Sequence, residues 1–109
     1  GTQVFRFAVN AIEDVMNEVL KAANLSHSDI AYYVPHQANM RIISAAANKT
    51  GQPIDKFQIS IRQTGNVSAA SVPMALHDLM TSGKVKEGDK IMLMGFGGGL
   101  SAGALIFEV

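Results

Sequence analysis

Between residues 4 and 24, apolar side chains recur every three or four positions. Ala8, Ile12, Val15, Met16, Val19, Leu20 and Ala23 share one face, and Glu13, Asp14, Asn17, Glu18 and Lys21 share the other. That spacing predicts an amphipathic helix. Asn24 and Ser26 mark its end, and Ser26 with Asp29 is placed to cap a short turn. The period then changes. Ile30-Ala31-Tyr32-Tyr33-Val34 is rich in β formers and predicts a strand, closed by Pro35, which has no N–H for a sheet ladder. Residues 37–50 return to helical spacing, with Ala38, Ile42, Ala45 and Ala46 inward, Gly51 as the stop and Pro53 beyond it. Ile54 to Phe57 reads as one further turn, and Gln58 to Arg62 as a short strand. A third helix is expected over about 69–82, ending at Gly83, with Pro73 in its first turn or so, where a missing N–H costs least.

Lys86-Glu87-Gly88-Asp89 predicts a turn. Ile91-Met92-Leu93-Met94 is an unbroken apolar strand, as expected when both faces of a sheet are covered. Ala102 to Val109 returns as the last strand. It follows too closely for a helical crossover, so the final pair must be antiparallel. The order is helix, strand, helix, strand, helix, strand, strand. It implies a layered α/β fold with a mainly parallel sheet and an antiparallel last strand. With no repeat, linker or low-complexity tract, residues 1–109 read as one domain. Gly1-Thr2-Gln3 runs straight into the first helix, without an initiator methionine or a leading strand, and reads as part of something longer.

Composition sharpens this picture. Hydrophobic residues make up 48% of the chain and charged residues 17%, against about 25% charged in an ordinary soluble domain. Part of the apolar surface is therefore expected to meet a partner. Nine basic and nine acidic side chains balance, so nothing suggests electrostatic capture of nucleic acid or of an anionic membrane. No apolar run is long enough for a transmembrane helix. The chain has no cysteine, which excludes disulfides and thiolate metal sites and fits a cytosolic setting.

Candidate chemistry lies at strand ends, where α/β proteins place their sites. His36 follows the first strand directly. Its imidazole either donates a hydrogen bond to a substrate carbonyl or caps the next helix. Asn66, in Gly65-Asn66, is either ordinary turn chemistry or a carboxamide carried to the same sheet edge as His36. The run Gly97-Gly98-Gly99 precedes a strand, not a helix, so a nucleotide-phosphate cradle is rejected. It serves either as a hairpin or as a source of backbone N–H groups for an oxyanion. Arg41 is either a solvated helix residue or a contact for an acidic partner or phosphate near the site mouth. His27 and His77 lack this setting and are assigned structural roles. The histidines show no ligand spacing, so no metal is expected. Ser68, Ser71 and Ser101 lack the GxSxG elbow of serine hydrolases.

These segments, in this order, resemble the C-terminal half of the β-ketoacyl-acyl-carrier-protein synthase III family, which has a thiolase-like fold. The matching pieces are VFRFAV at 4–9, VPHQANMRIISA at 34–45, GNVSAASVPMAL at 65–76 and FGGGLSAGA at 96–104. Val67 stands where threonine is usual in the family, and Ser101-Ala102 replaces a common Thr-Trp pair. The resemblance implies that His36 and Asn66 are the histidine and asparagine of a Cys-His-Asn triad. They would bind the malonyl thioester carbonyl during a decarboxylative Claisen condensation that initiates fatty-acid synthesis. It implies that Gly98 gives a backbone N–H to the acyl oxyanion hole. Ala38, Asn39 and Phe5 are implied to lie near coenzyme A, and Arg41 to dock acyl carrier protein. No cofactor is implied. The implied partners are malonyl-acyl carrier protein, an acyl-coenzyme A substrate and a missing N-terminal half that bears the cysteine. The parent is implied to be a cytoplasmic homodimer, and this chain alone, lacking the thiol, is expected to be inactive. Other readings are a non-catalytic carrier-protein or coenzyme A-binding module, one half of a two-chain condensing enzyme, and a related synthase of secondary metabolism or of the methylglutaryl type.

Overall fold

The computed structural model describes residues 2–37, 40–60, 68–96 and 102–109. Helix α1 spans Thr2–Ala23, strand β1 Tyr32–Pro35, helix α2 Met40–Thr50, helix α3 Ser68–Thr81, strand β2 Lys90–Phe96 and strand β3 Ala102–Glu108. The three strands lie in the order β1-β2-β3. β1 and β2 are parallel, with Tyr33 opposite Met92 and Pro35 opposite Met94. β2 and β3 are antiparallel, from Lys90 opposite Glu108 to Phe96 opposite Ala102. The layered α/β arrangement and the antiparallel final pair are present as expected, but the described sheet is mixed rather than mainly parallel, with one parallel and one antiparallel pair.

Alternation along the strands separates two cores. Tyr33, Met92 and Met94 point to one face, where they meet Ile12, Met16 and Leu20 of α1 and Ile43, Ala46 and Ala47 of α2. Val34 and Ile91 point to the other, where they meet Ala75 and Leu79 of α3. The sheet is therefore covered on both sides, which explains why β2 is apolar without alternation. The first two helices end in the same way. Leu25 N–H reaches back to Leu20 C=O at 2.9 Å, and Gln52 N–H to Ala47 C=O at 2.9 Å. Between each pair stands a residue of positive φ, Asn24 at 57° and Gly51 at 73°, the left-handed cap that stops a helix. The turn at residues 27–29 is capped as expected, with the Asp29 carboxylate accepting Ser26 N–H at 2.8 Å.

Three further expectations need correction. The first strand is Tyr32–Pro35 rather than Ile30–Val34, so Pro35 lies inside it and Ile30 is a buried core residue before it. The buried face of α2 is Ile43, Ala46 and Ala47. Ile42 packs at its edge and Ala45 is half-buried, because Tyr33 and α1 together claim a stripe one residue further round. Ala38 lies outside the described residues. The strand expected over Gln58 to Arg62 shrinks to one bridge between Tyr33 and Phe57, with residues 58–60 irregular and the remainder outside the described residues. The third helix starts within a residue of its expected place, and Pro73 lies in its second turn.

Candidate active site

β1 delivers its chain to the carboxyl end of the parallel pair, and His36 is the first residue beyond it. Its backbone N–H donates to Met94 C=O on β2 at 2.7 Å. The turn that carries the imidazole is thus tied to the sheet rather than hanging from a loop. His36 is half-buried, and burial lowers its pKa below the ordinary imidazole value. At neutral pH the ring is therefore neutral, with one nitrogen as donor and the other as acceptor. That is the form able to give a hydrogen bond to a carbonyl oxygen without carrying a charge of its own.

The next residue, Gln37, was not singled out by sequence reasoning. Its carboxamide donates to Pro35 C=O at 2.8 Å and to Gln58 C=O at 3.0 Å, and it accepts Ser60 N–H at 2.6 Å. A glutamine two residues after a proline at a strand end is the available signal, but one side chain bridging two segments is a tertiary event that spacing does not reveal.

Arg41 and Phe5, both singled out from the sequence, come together. The Arg41 guanidinium lies 5.4 Å from the centre of the Phe5 ring, within cation–π range. Arg41 stands one residue into α2 and Phe5 near the start of α1, so the pair joins the amino ends of the two helices on one face of the sheet. Val4, Phe7 and Met40, their neighbours in sequence, are exposed. Asn66, Gly98, Ala38 and Asn39 lie outside the described residues.

The other histidines occupy structural settings. The His27 ring pairs through Nδ1 with the Tyr33 hydroxyl at 2.7 Å, and His77 is exposed on α3. One open cleft, lined by Ile30, Ala31, Tyr32, Lys56 and Lys84 among others, lies at the opposite end of the strands from His36.

Residues 20–109 match the family described as 3-oxoacyl-[acyl-carrier-protein (ACP)] synthase III C terminal. The chain belongs to that family. It is 48% identical over 108 residues to the β-ketoacyl-[acyl-carrier-protein] synthase III of Clostridium beijerinckii, covering 99% of this chain and 33% of that relative. The crystal structure of the 3-oxoacyl-[acyl-carrier-protein] synthase III of Aquifex aeolicus superposes with a TM-score of 0.92 at 43% identity, over 100% of this chain and 35% of that one. The priming β-ketosynthase of the R1128 polyketide biosynthetic pathway superposes at 0.85 with 40% identity, over 99% of this chain and 33% of that one. The chain thus spans about one third of the length of the synthases it matches. The fold is that of the C-terminal part of a thiolase-like synthase, as the family resemblance implied.

Proposed function

We propose that this chain supplies the decarboxylating portion of a β-ketoacyl-acyl-carrier-protein synthase III. The observation that carries the reading is His36, a neutral imidazole held at the carboxyl end of the sheet by its own backbone bond to β2. In this reading His36 and Asn66 each donate a hydrogen bond to the thioester carbonyl oxygen of malonyl-acyl carrier protein. The bond from the malonyl α-carbon to its carboxylate breaks, carbon dioxide leaves, and the electron pair moves into an enolate. Two neutral donors stabilise the growing negative charge on that oxygen without having to be reorganised. The enolate carbon then forms a bond to the carbonyl carbon of an acyl group held as a thioester on cysteine. Collapse of the resulting tetrahedral oxyanion, held in part by the Gly98 N–H, expels the cysteine thiolate.

The remaining assignments belong to the same reading. Arg41 docks the acidic carrier protein, and Ala38, Asn39 and Phe5 flank the pantetheine of an acyl-coenzyme A primer. The cysteine comes from an N-terminal half, and the assembled enzyme is a cytoplasmic homodimer that initiates fatty-acid synthesis. Residues 1–109 contain no cysteine, so this chain by itself cannot hold a covalent acyl group on a thiol and is expected not to condense substrates.

The test is made in the full-length synthase that contains this segment. His36→Ala and Asn66→Ala should each lower malonyl-acyl carrier protein decarboxylation by about a hundredfold or more, while transfer of the acyl group to cysteine continues. Unchanged carbon dioxide release in both variants would sink the assignment.

A further inference from the structure

A peculiarity of the sheet edge beside His36 leads to a role for its neighbour. The segment after the second short turn runs alongside β1 and starts to pair with it as a parallel strand. Phe57 bridges Tyr33, and Gln58 N–H donates to Tyr33 C=O at 2.8 Å. In a parallel ladder the next residue of β1 facing that edge lies two positions on. That residue is Pro35. Its N–H would donate to Gln58 C=O, and its C=O would accept from Ser60 N–H. Proline has no such hydrogen, so the ladder breaks there.

Both orphaned groups are met by the side chain of Gln37. Its Nε2 donates to Gln58 C=O at 3.0 Å, and its Oε1 accepts Ser60 N–H at 2.6 Å. The second Nε2 hydrogen returns to Pro35 C=O at 2.8 Å. The carboxamide has the donor and acceptor of a peptide group, and it stands where the ladder lacks one. Gln37 thereby fastens residues 58–60 to the turn that carries His36. Six residues beyond Ser60 along the chain comes Asn66.

We propose that Gln37 is a positioning residue, a surrogate peptide group that fixes the separation between His36 and the segment leading to Asn66. The proposal rests on the reading of His36 and Asn66 as joint donors to one oxyanion. Two donors must converge on one oxygen, and a displacement of about 1 Å between them is enough to cost about a hundredfold in rate. A half-buried Ser60 N–H and Gln58 C=O left unpaired would supply the driving force for such a displacement.

The experiment uses the full-length synthase containing this segment and the substitution Gln37→Met, which keeps length and removes every polar atom. Decarboxylation kcat should fall by about ten- to a hundredfold, with the KM for malonyl-acyl carrier protein and the rate of acyl transfer to cysteine changed less than about threefold. Adding Pro35→Ala restores a backbone N–H to the ladder, and the double variant should recover most of the loss. Decarboxylation within about twofold of the parent, an equal loss of acyl transfer, or a defect, misfolding included, that Pro35→Ala does not relieve would overturn the role. His36→Ala, assayed alongside, separates the two levels. If it decarboxylates normally, the underlying reading fails. If it is impaired while Gln37→Met is not, only the positioning role fails.

Discussion

Tyr33 is a central side chain of the core that lies between the sheet and helices α1 and α2. It is fully buried, its ring stacks on Phe57 at 4.7 Å, and its hydroxyl pairs with His27 Nδ1 at 2.7 Å. Burial pushes its pKa up to about 12, so the phenol stays protonated and serves as donor or acceptor only. Tyr33→Phe keeps the stack and leaves His27 without its partner. A loss of about 1 kcal/mol is expected for one hydrogen bond of this kind, read from the urea midpoint. Burial, helped by the neighbouring Lys56 charge, lowers the His27 pKa, and burial alone lowers that of His36. Both rings therefore bind protons less readily folded than unfolded. Stability rises with pH wherever the unfolded chain holds more protons. It should be complete above the unfolded value near 6.5 and decline as pH falls from there toward the depressed folded values. Urea titrations at neutral pH and at a pH below 6 would register this, and an increase in stability on acidification across that window would contradict it. At this scale His36 is legible from its place after a strand, Arg41 from its place on the helix that follows, and Phe5 from family likeness. Gln37 is not legible in this way. Its bridging of two segments depends on which segment lies beside β1, and a single chain of letters does not specify that pairing.

Elements were legible where one physical signal dominated. The spacing of α1, the unbroken apolar run of β2 and the short connection before β3 each allowed one outcome, and each appears. Both strand readings that need correction turn on one proline. Pro35 is expected just beyond the strand, yet it belongs to β1 in register with Met94 while the ladder fails on its other side. That failure also explains why the strand expected after Phe57 does not form over residues 58–60. Pro73 lies in the second turn of α3. There its ring nitrogen cannot donate to the carbonyl four residues earlier, at a cost of up to about 3 kcal/mol in a helix interior. Pro73 is exposed, so replacing it disturbs no core contact. Pro73→Ala should therefore raise the stability of the chain by about 1 kcal/mol, less than the interior maximum because the first turns are the most tolerant. Denaturant unfolding of the two proteins checks this. An equal or lower midpoint would mean that α3 needs the proline to start where it does.

Across the whole molecule, apolar surface remains uncovered on more than one side. Met74 and Met80 are exposed on α3, Val4 and Phe7 on α1, and Leu105 on β3. Met74 is the most informative, because it lies roughly across α3 from Ala75 and Leu79, through which that helix already fills one of the two cores. A helix apolar on both sides lies between two layers, and here only one layer is supplied by these residues. If the chain is the C-terminal portion of a synthase, as proposed, the remaining portion covers Met74 and Met80. The same substitution should then act differently in the two contexts. In the 109-residue chain, Met74→Lys replaces an exposed apolar group. It should change stability by no more than about 0.5 kcal/mol and reduce self-association measured by light scattering. In the full-length synthase it would place a lone ammonium in a covered interface. There it should lower stability by about 2 kcal/mol or more, seen as a lower thermal midpoint. Equal and small effects in both proteins would show that this face of α3 meets solvent in the enzyme as well, and the layer proposed to cover it would have to lie elsewhere.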